Sequence, residues 1–228
     1  MALPLVVGFD LDMTLIDSRP GIAATYRALT AHTGVPVDAD AAVARLGPPL
    51  RVELANWFPA GQIEEAVVAY RALYPAYAID SSPLLPGAGP AVAAVRGNGG
   101  RVVVVTSKLG RLARLHLDHV GLAVDDVLGD RFAEGKASAL YEHGVGIYVG
   151  DHVADVAAAR AAGAVAIGVT TGPCAGAELS SAGADEVLAD LTAFPEWLDG
   201  YLLDAPGTAP EAPGDWRVTR ATGGAVCG

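Results

Sequence analysis

The chain has 228 residues, 52% hydrophobic but only 6% aromatic, with 15 basic against 26 acidic residues and a formal net charge of -11. A chain of that length buries a sizeable core, its Ala, Val and Leu suit helices packed on a buried sheet, and its negative charge repels a polyphosphate backbone, which excludes nucleic acid as the main ligand. Two cysteines, Cys174 and Cys227, are too few for a secreted disulfide scaffold, no basic leader region opens the chain, and no apolar stretch is long enough to span a bilayer; the expected setting is the cytoplasm, with no membrane partner.

The first apolar run, Leu5 to Phe9, reads as a buried strand that ends abruptly in Asp10-Leu11-Asp12-Met13-Thr14. Residues i and i+2 of an extended chain share a face, so Asp10 and Asp12 converge at the sheet's carboxyl edge, where one can attack while the other handles a proton. The same residues equally suit a turn or a helix cap.

Roughly ninety residues then pass before the next strand, far more than one crossover helix needs. The pattern predicts an inserted helical subdomain over 18–82, with helices opened by Pro20-Gly21 and Asp38, a third over Gln62 to Tyr77, and a break at Gly47-Pro48-Pro49. Ser82-Pro83 and Pro86-Gly87 mark the return to the core.

The second strand, Arg101 to Val105, runs into Thr106-Ser107-Lys108. A hydroxyl there can bond a phosphoryl oxygen or cap the next helix, and helix N-termini also favour anions. Lys108 and Lys136 are the only lysines among the 15 basic residues. Each is expected in a loop that opens a helix, where an ammonium can neutralise a phosphoryl oxygen or pair with Asp10; Lys136, in Phe132-Ala133-Glu134-Gly135-Lys136, is the stronger candidate.

Gly146 to Val149 reads as a further strand, leading into Gly150-Asp151-His152-Val153-Ala154-Asp155 and a helix that stops at Gly163. Asp151 and Asp155 can face a divalent cation; the alternative is capping, with Asp151 as N-cap and Asp155 near the helix dipole. Four carboxylates gathered without a cation would repel, which favours the metal. Strands are also predicted at Ala164 to Val169 and, more weakly, at Val124 to Leu128 and Glu186 to Leu188. Strands separated by helices predict a doubly wound parallel α/β sheet of Rossmann-like type, with ligands at the strands' carboxyl ends. The expected division is an α/β core over 1–17 and 83–203, an all-helical cap over 18–82, and a disordered tail over 204–228, in which Trp216 and Val218 are the residues able to dock.

These motifs resemble those of the haloacid dehalogenase superfamily, and in particular phosphoglycolate phosphatases, over about residues 3 to 200. The likeness rests on Asp10-x-Asp12-x-Thr14, Thr106, Lys136 and Gly150-Asp151-x-x-x-Asp155, in that order. The insert resembles the family's C1 cap, and Arg45-Leu46-Gly47-Pro48-Pro49-Leu50 its specificity loop. Similar members have Gly where Met13 stands and a small polar residue where His152 stands.

The resemblance implies an Mg2+-dependent phosphatase acting on a small phosphorylated metabolite. In it Asp10 is the nucleophile, Asp12 the acid and base, and Thr106 and Lys136 hold the phosphoryl group. Leu11, Thr14, Ser107, Lys108 and Arg51 are the accessory phosphate and substrate contacts, although Arg51 and Arg45 equally suit an ordinary surface. Asp10, Asp12 (through its backbone carbonyl), Asp151 and Asp155 are the metal ligands. Asp12 separates phosphatase from dehalogenase chemistry, because a departing ester oxygen needs a proton and a halide does not. The alternatives are a phosphomutase using the same residues and a signalling domain that accepts phosphate on Asp without turnover. The insert and the late Asp151 and Asp155 pair weigh against the second.

Overall fold

The computed structural model describes residues 4–204, so the expected tail and Cys227 lie outside the described residues, apart from Asp204, which ends the last helix. Six strands form one parallel sheet: β1 (Val6–Phe9), β2 (Arg101–Val105), β3 (Asp126–Leu128), β4 (Ile147–Gly150), β5 (Val165–Val169) and β6 (Glu186–Leu188). Their order, β3-β2-β1-β4-β5-β6, puts β1 in the middle and reverses direction between β1 and β4. This is the doubly wound architecture expected from the alternation of strands and helices.

Strand parity explains the two layers, since successive side chains point to opposite faces. Val7, Phe9, Val102, Val104, Ile147 and Val149 share one cluster with α5 (Ala88–Gly97), α6 (Gly110–His119) and α10 (Phe194–Asp204). Val6, Val103, Val105 and Tyr148 share the other with α7 (Glu134–Glu142), α8 (Val153–Ala162) and α9 (Gly176–Ser181). Phe194 of α10 meets Phe9 edge-on, ring centroids 5.4 Å apart, directly beneath the end of β1.

Between β1 and β2 lie α1 (Arg19–Thr33), α2 (Ala39–Val43), α3 (Leu50–Leu54) and α4 (Ile63–Ala78). They enclose their own hydrophobic cluster, which Leu112 of α6 joins from the core side. Asp38 caps α2 by accepting from Asp40 N and Ala41 N, and Gly34 ends α1 in the left-handed region. The chain leaves and returns side by side: Asp17 N donates to Pro83 O and Leu85 N to Leu15 O, both at 2.9 Å.

Candidate active site

Asp10 continues the sheet past β1, its N–H donating to Val149 O at 2.9 Å. Its carboxylate thus leaves the sheet at the β1/β4 reversal, where open α/β sheets form a crevice. Asp151 follows β4 and Asp155 lies in the first turn of α8, so that Asp10, Asp151 and Asp155 each present a carboxylate oxygen within 4.8 Å of the others. Two glycines permit this crowding. A Cβ at Gly150 would lie 2.5 Å from the Asp155 carboxylate, and one at Gly172 would lie 1.8 Å from Asp151 Oδ2.

Among the described residues Lys136 is the one cation inside this group, 2.6 Å from Asp155 and 3.4 Å from Asp10, with its ammonium 5.5 Å from the Tyr148 ring centroid. It sits within the first turn of α7 rather than in the loop before it, because Ala133 adopts a positive φ of 47° and starts the helix early. One ammonium does not balance three acids, two of them buried. Burial, only partly offset by Lys136, pushes Asp10 up to about 7, and burial with Asp155 and Asp10 pushes Asp151 up as well.

Asp12 belongs to a second group. Its Oδ1 lies 2.7 Å from Lys108 Nζ, which donates to the Tyr74 hydroxyl at 2.5 Å; that hydroxyl shares a 2.9 Å hydrogen bond with His116 Nε2. Burial pushes the Asp12 carboxyl up, but the Lys108 ammonium outweighs it and holds the group below the usual range. His116 is buried, and desolvation together with Lys108 pushes it down to about 4, so its ring is neutral at pH 7. A cavity of about 360 Å3 opens over both groups and extends into the helical insert.

The remaining expected contacts divide by position. Lys108 and Ser107 line the cavity, and the Ser107 hydroxyl reaches Gly47 O of the insert at 3.5 Å. Thr106 lies below it, almost fully buried, with Oγ1 accepting Lys108 N–H at 3.2 Å. Thr14 is fully buried and donates to Asp151 Oδ1 at 3.2 Å, so it orients an acid instead of meeting a phosphate. Leu11 N–H is engaged with Asp10 Oδ1 at 2.8 Å, which makes it a support for that carboxylate. Arg51 borders the cavity but pairs with Glu64, and both side chains are exposed.

The Asp12 carboxylate is not part of the acidic trio, because Lys108 holds it apart. Nor is Asp151 the α8 cap: His152 takes that position, with Nδ1 accepting Ala154 N–H at 3.1 Å while Asp155 Oδ2 accepts His152 N–H at 3.1 Å. Asp155 therefore serves both as a capping acid and as the partner of Lys136.

Met13 has φ 60°, in the left-handed region where glycine is favoured, which gives a physical reason for glycine at this position in similar sequences. Tyr74 and His116 are not among the residues expected at the site. Tyr70 and Tyr74 are four apart, on one face of α4, and His116 falls in the buried stripe Leu112, Ala113 and Leu117; those spacings were the available signals.

The family model of haloacid dehalogenase-like hydrolases matches residues 7–168. Tyrosine-protein kinase PtkA of Mycobacterium tuberculosis is 42% identical over 120 residues, 52% of this chain but only 41% of that protein, so the chain spans about two fifths of that relative's length. A phosphoglycolate phosphatase of Chromobacterium violaceum is 33% identical over 204 residues, covering 78% of this chain and 89% of its own. Among solved structures, the haloacid dehalogenase-like family protein SP0104 from Streptococcus pneumoniae is similar at a TM-score of 0.74 and 25% identity, over 87% of this chain and 98% of that one. Among the described residues, no helix is long and apolar enough to cross a membrane.

Proposed function

The chain belongs to the haloacid dehalogenase-like hydrolases, and from that premise we propose that it is an Mg2+-dependent phosphatase that hydrolyses a small phosphomonoester through an aspartyl-phosphate on Asp10. The observation that carries this reading is the convergence of Asp10, Asp151, Asp155 and Lys136 at one strand-end crevice, with Asp12 on the cavity wall beside them.

The donor set suits a hard divalent cation, since all three ligands are carboxylate oxygens and the group's negative charge exceeds what Lys136 balances. Asp10, Asp151 and Asp155 would hold it, with the backbone carbonyl of Asp12 as a further donor. When bound it supplies positive charge against the approach of two anions.

Asp10 attacks phosphorus, forming a carboxyl oxygen–phosphorus bond as the ester oxygen–phosphorus bond breaks. Asp12 gives its proton to the departing oxygen, then takes one from the water that attacks the aspartyl-phosphate and releases inorganic phosphate. In the resting site Lys108 keeps Asp12 ionised. An arriving phosphoryl group draws that ammonium towards itself, and Asp12, left with its burial, takes up the proton it must deliver. Lys136 offsets charge on the phosphoryl oxygens, the main contribution a protein makes to phosphoryl transfer, while Thr106, below the cavity, supports the Lys108 backbone through its hydroxyl.

A second reading, transfer to a hydroxyl other than water, is favoured by the likeness to PtkA. Phosphate release from an ester panel, dependent on Mg2+ and lost in Asp10→Asn, supports hydrolysis. A stable phosphoprotein, isomerised sugar phosphate, or label moving from ATP to a tyrosine peptide without phosphate release would overturn it.

A further inference from the structure

Resting on the phosphatase reading, we propose that the leaving group of the substrate is bulky, aromatic and uncharged, rather than the carboxylate-bearing two-carbon group of phosphoglycolate. The cavity does not end at the acids. It extends into the insert, where Ile22, Tyr26, Leu46, Val67 and Tyr70 form its walls, with Leu112 of α6 closing it from the core side. The Tyr26 and Tyr70 rings lie 4.8 Å apart and tilted, so the wall is aromatic as well as aliphatic.

At about 360 Å3 the space equals roughly a dozen waters at about 30 Å3 each. A two-carbon ester would leave much of that apolar wall wet, whereas a ring would replace the water against it.

Charge points the same way. A substrate carboxylate needs a free cation near the apolar half, and each arginine bordering the cavity already has a carboxylate partner, Arg45 the most firmly. Arg45 makes two hydrogen bonds to Glu53, at 2.6 and 3.1 Å, Arg51 pairs with Glu64, and Arg71 lies 3.5 Å from Asp130. Glu53 is itself buried and also accepts from Trp57 Nε1 at 2.9 Å, so drawing Arg45 away would strand a buried anion. In the proposed reaction the phosphoryl group itself takes up Lys108 and Lys136, which in the resting site pair with Asp12 and with Asp10 and Asp155, so neither is left for a second anion. A carboxylate would therefore meet Glu53 and no unpaired cation among the described residues.

The test compares 2-phenylethyl phosphate with phosphoglycolate on the full chain with Mg2+, because both release unactivated alkyl alcohols and the comparison reads binding rather than leaving-group chemistry. The expected result is a kcat/KM at least tenfold higher for the phenylethyl ester. Leu46→Asp should raise the KM for that ester tenfold or more with a smaller change in kcat. Equal or higher kcat/KM for phosphoglycolate overturns the inference while leaving the phosphatase reading intact. Calorimetric titration of Asp10→Asn with each ester separates the two further. Tighter binding of the phenylethyl ester supports the pocket assignment even if no ester is hydrolysed, in which case it is the phosphatase reading that falls. Tighter binding of phosphoglycolate overturns the inference.

Discussion

Without a cation, two buried groups should make stability depend on pH in opposite directions. The Asp10 carboxyl titrates at about 7 in the folded protein against an ordinary 3.8, so the folded state holds more protons and stability falls as pH rises through that window. His116 titrates at about 4 folded against an ordinary 6.5, so the unfolded state holds more protons and stability rises with pH up to about 6.5. At about 1.4 kcal/mol per pKa unit, Asp10 removes about 2 kcal/mol between pH 5 and 7 while His116 adds about 2 kcal/mol. The two effects oppose each other in the natural sequence, where Asp151, also pushed up by burial, adds to the fall, and single substitutions expose each contribution. In urea unfolding with EDTA, the change in stability from pH 5 to 7 should be more positive than the parent's by about 2 kcal/mol in Asp10→Asn, and more negative by about 2 kcal/mol in His116→Gln. Added Mg2+ should raise the parent's stability at pH 7, because it favours the ionised carboxylates. Parallel pH profiles for the three proteins would refute the account of how these groups are buried.

Met13→Gly should relieve about 1 kcal/mol of left-handed strain but forfeit a buried side chain worth about 2 kcal/mol or more, so denaturant unfolding should show a net loss; a gain would mean that the Met13 side chain contributes no packing. Thr14→Val removes the hydroxyl that orients Asp151, and titration calorimetry should show Mg2+ binding weakened about 10-fold or more, with an unchanged affinity counting against that role.

The features most legible in the sequence were those in which one local rule applied. β2 needed only a buried β-branched run, and Gly163 ended α8 where its left-handed geometry demanded. The gathering of Asp10, Asp151 and Asp155 was also readable, because strand ends in a parallel sheet share an edge. What could not be read was how each polar group spends its bonds. Thr14 sits two residues past Asp12 but is fully buried behind the cavity lining, bonded to Asp151, because the loop folds back so that Leu11 O accepts from Thr14, Leu15 and Ile16. Tyr74 and His116 are 42 positions apart and meet only because α4 packs over α6, a tertiary fact without a local signature.

The support that Phe194 gives Phe9 also bears on the order in which the protein is made. The strand carrying Asp10 emerges from the ribosome well before the partners that fix it. β2 and β4 follow after the insert, and the α10 ring that seats Phe9 comes later still, beyond the stretch matched by the family model. At about 5–20 residues per second, the first acids wait on the order of ten seconds or more for that ring, while helices α1 to α4 can begin to pack on one another. The chemistry written first along the chain is thus among the last parts of the molecule to become possible.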